Sequence, residues 1–292
     1  MGSVTTVVTY GQDPIRSRSA IADALREMQR LDGMLSNYKP ESEWSEMNRR
    51  AAQQPFKVSD ELFELLVACT EYSRKSEGAF DISVGPFMKV WGFFKGSGHL
   101  PTQDAITEAL PKTGYRNIIL DHRTRTVRFA REGMELDPGG VGKGYAVDRM
   151  IQILRNDNVP SALVSAGASS IYALGKPPGK NGWEIRLMNP RNPRQALEAV
   201  TLRDESLSTS GSYEKFFYAD GKLWSHIMDP RSGRPSQGML SVSVIAPRTL
   251  DSEVWAKPYY ILGRQWTAKH KEPGFRVFLC EDKVGASCSW VN

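Results

Sequence analysis

Three stretches of this sequence carry residues whose types and spacing could do chemistry. The first is Pro138-Gly139-Gly140-Val141-Gly142-Lys143-Gly144, which places four glycines within six residues. Following a strand and opening a helix, such a run lets the backbone approach a ligand closely. The orphan N–H groups and the positive dipole end of that helix then suit a phosphate. The run fits neither GxGxxG in a βαβ unit nor GxxxxGK[ST], so by itself it reads equally well as a tight strand-to-helix turn. The second stretch is Leu207-Ser208-Thr209-Ser210-Gly211-Ser212-Tyr213-Glu214, a hydroxyl-dense turn. Its hydroxyls could hold phosphate oxygens or simply form the turn. The third is Ser225-His226-Ile227-Met228-Asp229-Pro230, in which His226 could serve as a general base near neutral pH or stand half-exposed beside a turn.

Other chemistries find less support. His99, His122, His226 and His270 share no zinc-ligand spacing. Cys69 lies on a helical apolar pattern and reads as core, while the spacing of Cys280 and Cys288 leaves open whether they bridge. The net charge of +5 is spread along the chain, and the densest basic stretch, Arg123 to Arg131, is interleaved with Thr, Val, Phe and Ala. A nucleic-acid-binding tail is therefore not indicated. No run of about 18 apolar residues offers a membrane-spanning helix. With hydrophobic residues at 40% and charged residues at 24%, a buried core is expected and disorder is not.

The elements that must position these stretches follow from periodicity. Val4 to Tyr10 reads as a strand, and Ile21, Leu25, Met28, Leu31 and Leu35 as one face of a helix ending near Ser36. A second helix starts at Ser59-Asp60 and stops at Gly78, and a shorter one follows Thr102. Ile118 to Leu120 and Val127 to Phe129 form a hairpin. Met134 to Asp137 reads as the strand before the glycine-rich run, and Tyr145 to Leu154 as the helix after it. In the second half, Ala162 to Val164, Ile171 to Leu174, Trp183 to Met188, Leu197 to Leu202 and Leu240 to Ile245 read as strands. The Asp220-Gly221 pair turns a hairpin between Lys215 to Tyr218 and Leu223 to Ile227. Asp251 to Leu262 reads as a helix interrupted by Pro258, and Phe275 to Leu279 as the last strand. Many strands with few intervening helices predict an α+β fold. Without repeats or linkers, residues 1–292 are expected to form one compact domain.

Taken in order, these pieces resemble the ApbE family of flavin transferases. Met1-Gly2-Ser3 is similar to that family's opening Met-Gly-Thr. Leu35-Ser36-Asn37-Tyr38, Glu41-Ser42-Glu43 and Met47-Asn48 follow its next block. Ala79-Phe80-Asp81-Ile82-Ser83-Val84-Gly85-Pro86 is similar to its Phe-Asp-Pro-Thr-Val-Gly-Pro motif. Leu136 to Asp148 resembles its glycine-rich signature, and Ser208-Thr209-Ser210-Gly211 with Ser225 to Pro230 completes the set. Six ordered matches are far more specific than any one of them.

The resemblance implies an ApbE-like, T-fold-related α+β fold with mixed or antiparallel sheets and flanking helices. It implies transfer of FMN from FAD onto a Thr or Ser hydroxyl of a target protein, with release of AMP. By the same analogy Met1, Tyr38, Ala79, Phe80, Asp81, Gly139, Tyr145 and Ile227 line the FAD site, His226 falls where the family's proposed base lies, and Lys257, a departure from the pattern, is expected to meet the FAD diphosphate through its own charge. Magnesium is implied as a cofactor, with Gly142, through its carbonyl, and Glu253 at ligand positions. The partners implied are FAD and an acceptor protein, with no nucleic acid. Membrane attachment would come only through a leader or lipid anchor, and an exported, periplasm-facing location is expected.

This chain departs from the pattern at the metal positions. Glu253 stands where the family has Asp, and Lys257 where it has a Thr ligand. An ammonium has no lone pair to give a cation and repels it. Pro258 follows immediately and is expected to disturb the helix at Lys257. Gly142 replaces a common Ala, and Ser165-Ala166-Gly167-Ala168-Ser169 lacks the family's acidic group. Three outcomes are consistent with these changes. Lys257 supplies part of the metal's charge, or metal binds with fewer protein ligands, or the chain binds FAD without transferring it. The alternatives to transfer are thus a flavin-delivery protein and an FAD pyrophosphatase.

Overall fold

The structure is a computed structural model that describes residues 3–11, 13–283 and 287–292. Strand β1 (Thr5–Tyr10) leads into helix α1 (Pro14–Leu35). Helix α2 (Glu43–Arg50), strand β2 (Phe56–Lys57) and helices α3 (Asp60–Lys75), α4 (Gly85–Val90) and α5 (Gln103–Ala109) follow. A hairpin of β3 (Ile118–Asp121) and β4 (Thr126–Phe129) precedes α6 (Gly142–Asn156). Then come β5 (Ser161–Ala166), β6 (Ser170–Leu174), β7 (Trp183–Asn189), β8 (Asn192–Leu202) and β9 (Glu205–Gly211). Strands β10 (Phe216–Ala219), β11 (Lys222–Ser225), β12 (Met228–Asp229) and β13 (Arg234–Pro235) are short. The chain closes with β14 (Met239–Ala246), α7 (Thr249–His270), β15 (Arg276–Glu281) and β16 (Ser287–Trp290). Every strand pairing among the described residues is antiparallel, so the α+β expectation holds. No helix of the described residues is long and apolar enough to cross a membrane.

Two compact units result. The first combines Met1–Asp32, Val141–Gly211 and Gly238–Asn292 around a seven-stranded sheet in the order β1-β5-β6-β9-β14-β15-β16. The period-2 alternation of β9 and β14 divides the sheet into two faces. Leu207, Ile245 and Phe278 pack with Trp183, Leu187, Val200 and Leu202 of the β7–β8 hairpin. The opposite face carries Ser206 and Ser208 toward α7, where a chain of hydroxyls joins sheet to helix. Ser206 Oγ donates to the carbonyls of Ala246 (2.8 Å) and Arg248 (2.9 Å), and Ser252 Oγ lies 2.8 Å from Ser208 Oγ. The hydroxyl-dense stretch is therefore mostly strand, and Ser206 and Ser208 both bond to Ser252 of α7. Cys280 and Cys288 are register partners of β15 and β16 and form a disulfide.

The second unit, Gly33–Gly140 with Ser212–Gln237, holds α2 to α5, the β2-β4-β3 sheet and the β10–β11 hairpin. Its aromatic core joins Phe87, Trp91, Phe93, Ile106, Ala109 and Met228. Asp220 (φ 51°) and Gly221 (φ 69°) both take the left-handed conformation that a two-residue hairpin turn requires.

Several expectations are corrected. Met134 to Asp137 pairs with no strand: side chains satisfy the backbone of Leu136, and Asp137 N–H donates to the Ile82 carbonyl. Trp44 Nε1 and Asn48 Nδ2 each donate to the Leu136 carbonyl at 2.9 Å, and Asn48 Oδ1 accepts from Leu136 N–H. Helix α2 was not anticipated, although Ser42 caps it by accepting from Ser45 N–H at 3.0 Å. In α1 the buried stripe is Ala20, Ala24, Met28, Leu31 and Leu35, and Leu25 is exposed. Helix α7 continues through Pro258 to His270 and breaks its helical geometry only at Gly263 (φ 75°, ψ −177°). Pro258 removes the N–H that the Val254 carbonyl would accept. The adjacent Glu253 carbonyl accepts from Lys257 Nζ, and Lys257 itself is helical.

Candidate functional site

The expected site residues fall into one group in each unit, apart from Met1, which lies outside the described residues. In the second unit Tyr38 is 47% exposed and stacks on Phe94 with ring centroids 5.2 Å apart and planes 10° from parallel. Lys89 and Lys95 lie over the Phe94 ring. This pair presents a flat aromatic surface to which a planar heterocycle could be added by stacking. Burial, and then the charge of Asp137, push the Tyr38 phenol above its ordinary pKa.

Asp137 accepts from Asn37 Nδ2 (2.9 Å) and from Gly139 N–H (2.7 Å), which shapes the turn at Pro138–Gly140. A Cβ on Gly139 would lie 2.7 Å from Asp137 Oδ1, so any side chain there would displace that carboxylate oxygen. Desolvation raises the Asp137 pKa, and these hydrogen bonds oppose the rise.

The Ala79-Phe80-Asp81 stretch lies deeper. Ala79 and Phe80 are buried, and Phe80 meets Tyr72 edge-on. Asp81 is 6% exposed and turned inward: Oδ1 accepts from the Ser83 hydroxyl and amide, and Oδ2 from Tyr115 N–H at 2.6 Å. Desolvation raises its pKa as well. Its observed work is to hold two loop segments, and any ligand contact of this stretch falls to the backbone.

His226 follows β11. Its backbone N–H donates to the Lys215 carbonyl at 3.0 Å, and its ring Nδ1 lies 3.2 Å from the same oxygen. A carbonyl only accepts, so this contact assigns the proton to Nδ1. In the neutral form of a ring protonated at Nδ1 the basic nitrogen is Nε2, the form a general base uses. Ile227 beside it is buried, and its carbonyl accepts from Ser236 N–H. A surface cleft of ≈ 350 Å³ is lined by Gly96, Ser97, Glu214, Lys215 and Phe216, so Lys215 joins the histidine's anchor to this cleft.

In the first unit the group is built on the first turns of α6 and α7, which cap each other. Glu253 Oε2 of α7 accepts from Gly144 N–H of α6 at 2.5 Å. Asp148 of α6 accepts from Thr249 N–H (2.7 Å) and Leu250 N–H (2.9 Å) of α7. Each carboxylate sits at the positive end of the other helix's dipole. Gly144 has no room for a side chain, because a Cβ would meet the Thr249 carbonyl oxygen at 2.6 Å and Glu253 Oε2 at 2.8 Å. Tyr145, the next residue, is part-buried, and its N–H donates to the Val141 carbonyl. Lys257 Nζ donates to the Glu253 carbonyl at 2.7 Å. Part of the Lys257 side chain reaches the surface, yet the ammonium is crowded enough that desolvation lowers its pKa to about 8. Glu253 opposes that shift and Lys143 adds to it.

These donors do not fit magnesium. Glu253 has a carboxylate oxygen committed to Gly144 N–H, and its carbonyl to an ammonium. Lys257 adjoins it, and a hard cation needs oxygen lone pairs rather than an ammonium group. Among the described residues no group of three or more His, Cys, Asp and Glu could hold a metal ion. Sequence reading passed over Asn37, Asp137, Lys143 and Asp148 as site residues. Three of them lie inside the glycine-rich signature, where an Asp just before the glycines and another one turn into the helix were the available signals.

A family model described as the ApbE family matches residues 1–279. The chain belongs to the ApbE family. Among its ApbE relatives, the FAD:protein FMN transferase of Klebsiella pneumoniae (strain 342) is 34% identical over 266 residues, covering 90% of this chain and 80% of that one. The protein of the same name from Treponema pallidum (strain Nichols) is 32% identical over 313 residues, with 100% and 86% covered. The ApbE crystal structure from Thermotoga maritima superposes with a TM-score of 0.91 at 28% identity, covering 99% of this chain and 93% of that one. The apo flavinyl transferase ApbE of Pseudomonas stutzeri gives 0.87 at 29% identity, with 100% and 92% covered.

Proposed function

We propose that this chain moves FMN from FAD onto a protein acceptor and releases AMP. The observation that carries the reading from family to chemistry is His226, whose ring Nδ1 is held 3.2 Å from the Lys215 carbonyl oxygen. In the proposed step a Thr or Ser hydroxyl oxygen of the acceptor attacks the phosphorus on the FMN side of the diphosphate. The new O–P bond forms, the bond from that phosphorus to the bridging oxygen breaks, and AMP departs with that oxygen. Nε2 of His226 takes the hydroxyl proton. Such a base contributes about 10²–10⁴-fold. The Tyr38–Phe94 stack suits the flat isoalloxazine ring, and the cationic group around Lys257 suits phosphate oxygens.

An exported, periplasm-facing location belongs to the same proposal, supported by the Cys280–Cys288 disulfide, since such bonds persist in oxidising compartments. The test is co-expression with a candidate acceptor, followed by in-gel flavin fluorescence of the acceptor and assay of released AMP. A fluorescent acceptor band that vanishes with His226→Ala supports the reading. Bound FAD with neither product favours a flavin-delivery protein, and AMP without a labelled acceptor favours a pyrophosphatase.

A further inference from the structure

We infer that this chain holds the FAD diphosphate without a divalent cation, the ammonium groups of Lys143 and Lys257 acting where a metal ion would. The inference rests on the FAD reading and deepens it. Its first support is the use already made of the acidic group. Glu253 is 3% exposed, and its carboxylate caps α6 through Gly144 N–H. That bond commits one carboxylate oxygen to Gly144 N–H and leaves only the second for a cation, beside an ammonium that would repel it.

The second support is the placement of positive charge. Lys257 Nζ is anchored 2.7 Å from the Glu253 carbonyl, one turn along the same helix. Lys143, on the first turn of α6, is close enough for its charge to act on Lys257, and its side chain runs beside Gly167, 3.8 Å from where a Cβ would stand. The ammonium groups of Lys143 and Lys257 repel each other. An arriving dianion relieves that repulsion, whereas an arriving dication increases it. Lys257 cannot swing away cheaply, since its nitrogen is fixed to the backbone of the residue that caps α6. The charge is therefore pre-positioned, as a bound metal's would be, but it is covalently part of the chain.

The experiment is a fluorescence titration of the full chain with FAD, run in excess EDTA and in excess magnesium chloride, with calorimetric titration of magnesium alone alongside. The wild type is expected to bind FAD equally in both buffers and to show no heat of magnesium binding. Lys257→Met should weaken FAD binding in EDTA by about tenfold or more, and Lys257→Arg should recover most of the loss. Melting curves check that the variants fold. If Lys257→Met does not, Lys143→Met in the same titration decides, with loss of affinity expected. FAD binding that requires magnesium overturns the inference and leaves the transferase reading standing. FAD binding in neither buffer overturns both. Undiminished binding by a folded Lys257→Met, or by Lys143→Met if that variant has to decide, assigns the charge elsewhere and overturns the inference alone.

Discussion

The two units place their chemistry in opposite ways. In the first, the charged groups ride on the opening turns of two helices, and each helix satisfies the other's orphan N–H groups through a carboxylate. In the second, the aromatic and basic groups ride on loops, held by side chains that reach for backbone carbonyls. Trp44 and Asn48 hold Leu136, Trp91 holds Gly233, and the Lys215 carbonyl holds His226. The contrast matches the tasks proposed for each. A charge must be fixed before its ligand arrives, because reorganisation consumes the interaction. A stacking face and a base serve best at an open surface, where a ring and a hydroxyl can enter. Disturbing the first group should therefore register mainly as lost stability, and disturbing the second as lost activity in a chain that folds normally.

Four substitutions can break or sharpen that contrast. The largest expected effect is that of His226→Ala, a fall in transfer of roughly 10²–10⁴-fold, or about 3–5 kcal/mol in barrier, with FAD affinity and melting temperature unchanged. A matching loss of FAD binding would make the residue structural. Next comes Gly144→Ala, whose Cβ has nowhere to go against the Thr249 carbonyl and the Glu253 carboxylate; denaturant unfolding should show about 1–3 kcal/mol of lost stability. Wild-type stability would mean that the two helices are not locked together.

Asp148→Asn should cost roughly 1 kcal/mol by weakening the cap on α7. Its pH signature follows from burial, which raises the Asp148 pKa in the folded chain above its ordinary 3.8. The folded state then binds that proton more tightly than the unfolded one. The resulting stability is full below the ordinary value and is lost as pH rises through the raised one. The gap between wild type and variant should narrow as pH climbs from below 3.8 toward neutrality, and urea midpoints that diverge instead would refute the assignment. Smallest is Tyr38→Ala, expected to weaken FAD binding by about 0.5–1.5 kcal/mol while leaving unfolding unaltered. A destabilised Tyr38→Ala would blur the contrast between the units.

The sequence made local things readable and left remote partnerships hidden. Asp220-Gly221 announced its hairpin because a two-residue turn needs left-handed backbone at both positions, and Ser59 announced α3 because a cap acts within three residues. Ordered motifs pointed to the family, since each had its own residue types at fixed spacing. What failed was anything depending on a distant donor. Met134 to Asp137 has a strand's composition, yet the Leu136 backbone bonds to Trp44 and Asn48, about ninety positions away by chain order. The hydroxyls of β9 looked like a ligand cradle because nothing local reveals that Ser252 faces them. Glu253 stood out as a metal ligand, but its partner Gly144 is 109 residues earlier.

The hydroxyl seam of Ser206, Ser208 and Ser252 has a consequence for how finely α7 is placed. A helix laid on Leu and Val rests on a greased surface, where neighbouring settings differ little in energy, because apolar contact has no direction. Hydrogen bonds do have direction, and here each oxygen has a named counterpart within 3.0 Å. Sliding α7 along β9 by one residue would unmake both bonds to Ser252 together. The seam works as a detent: it adds little to the depth of the fold's energy well and much to its narrowness. Lys257, little more than a turn beyond Ser252, inherits that single setting.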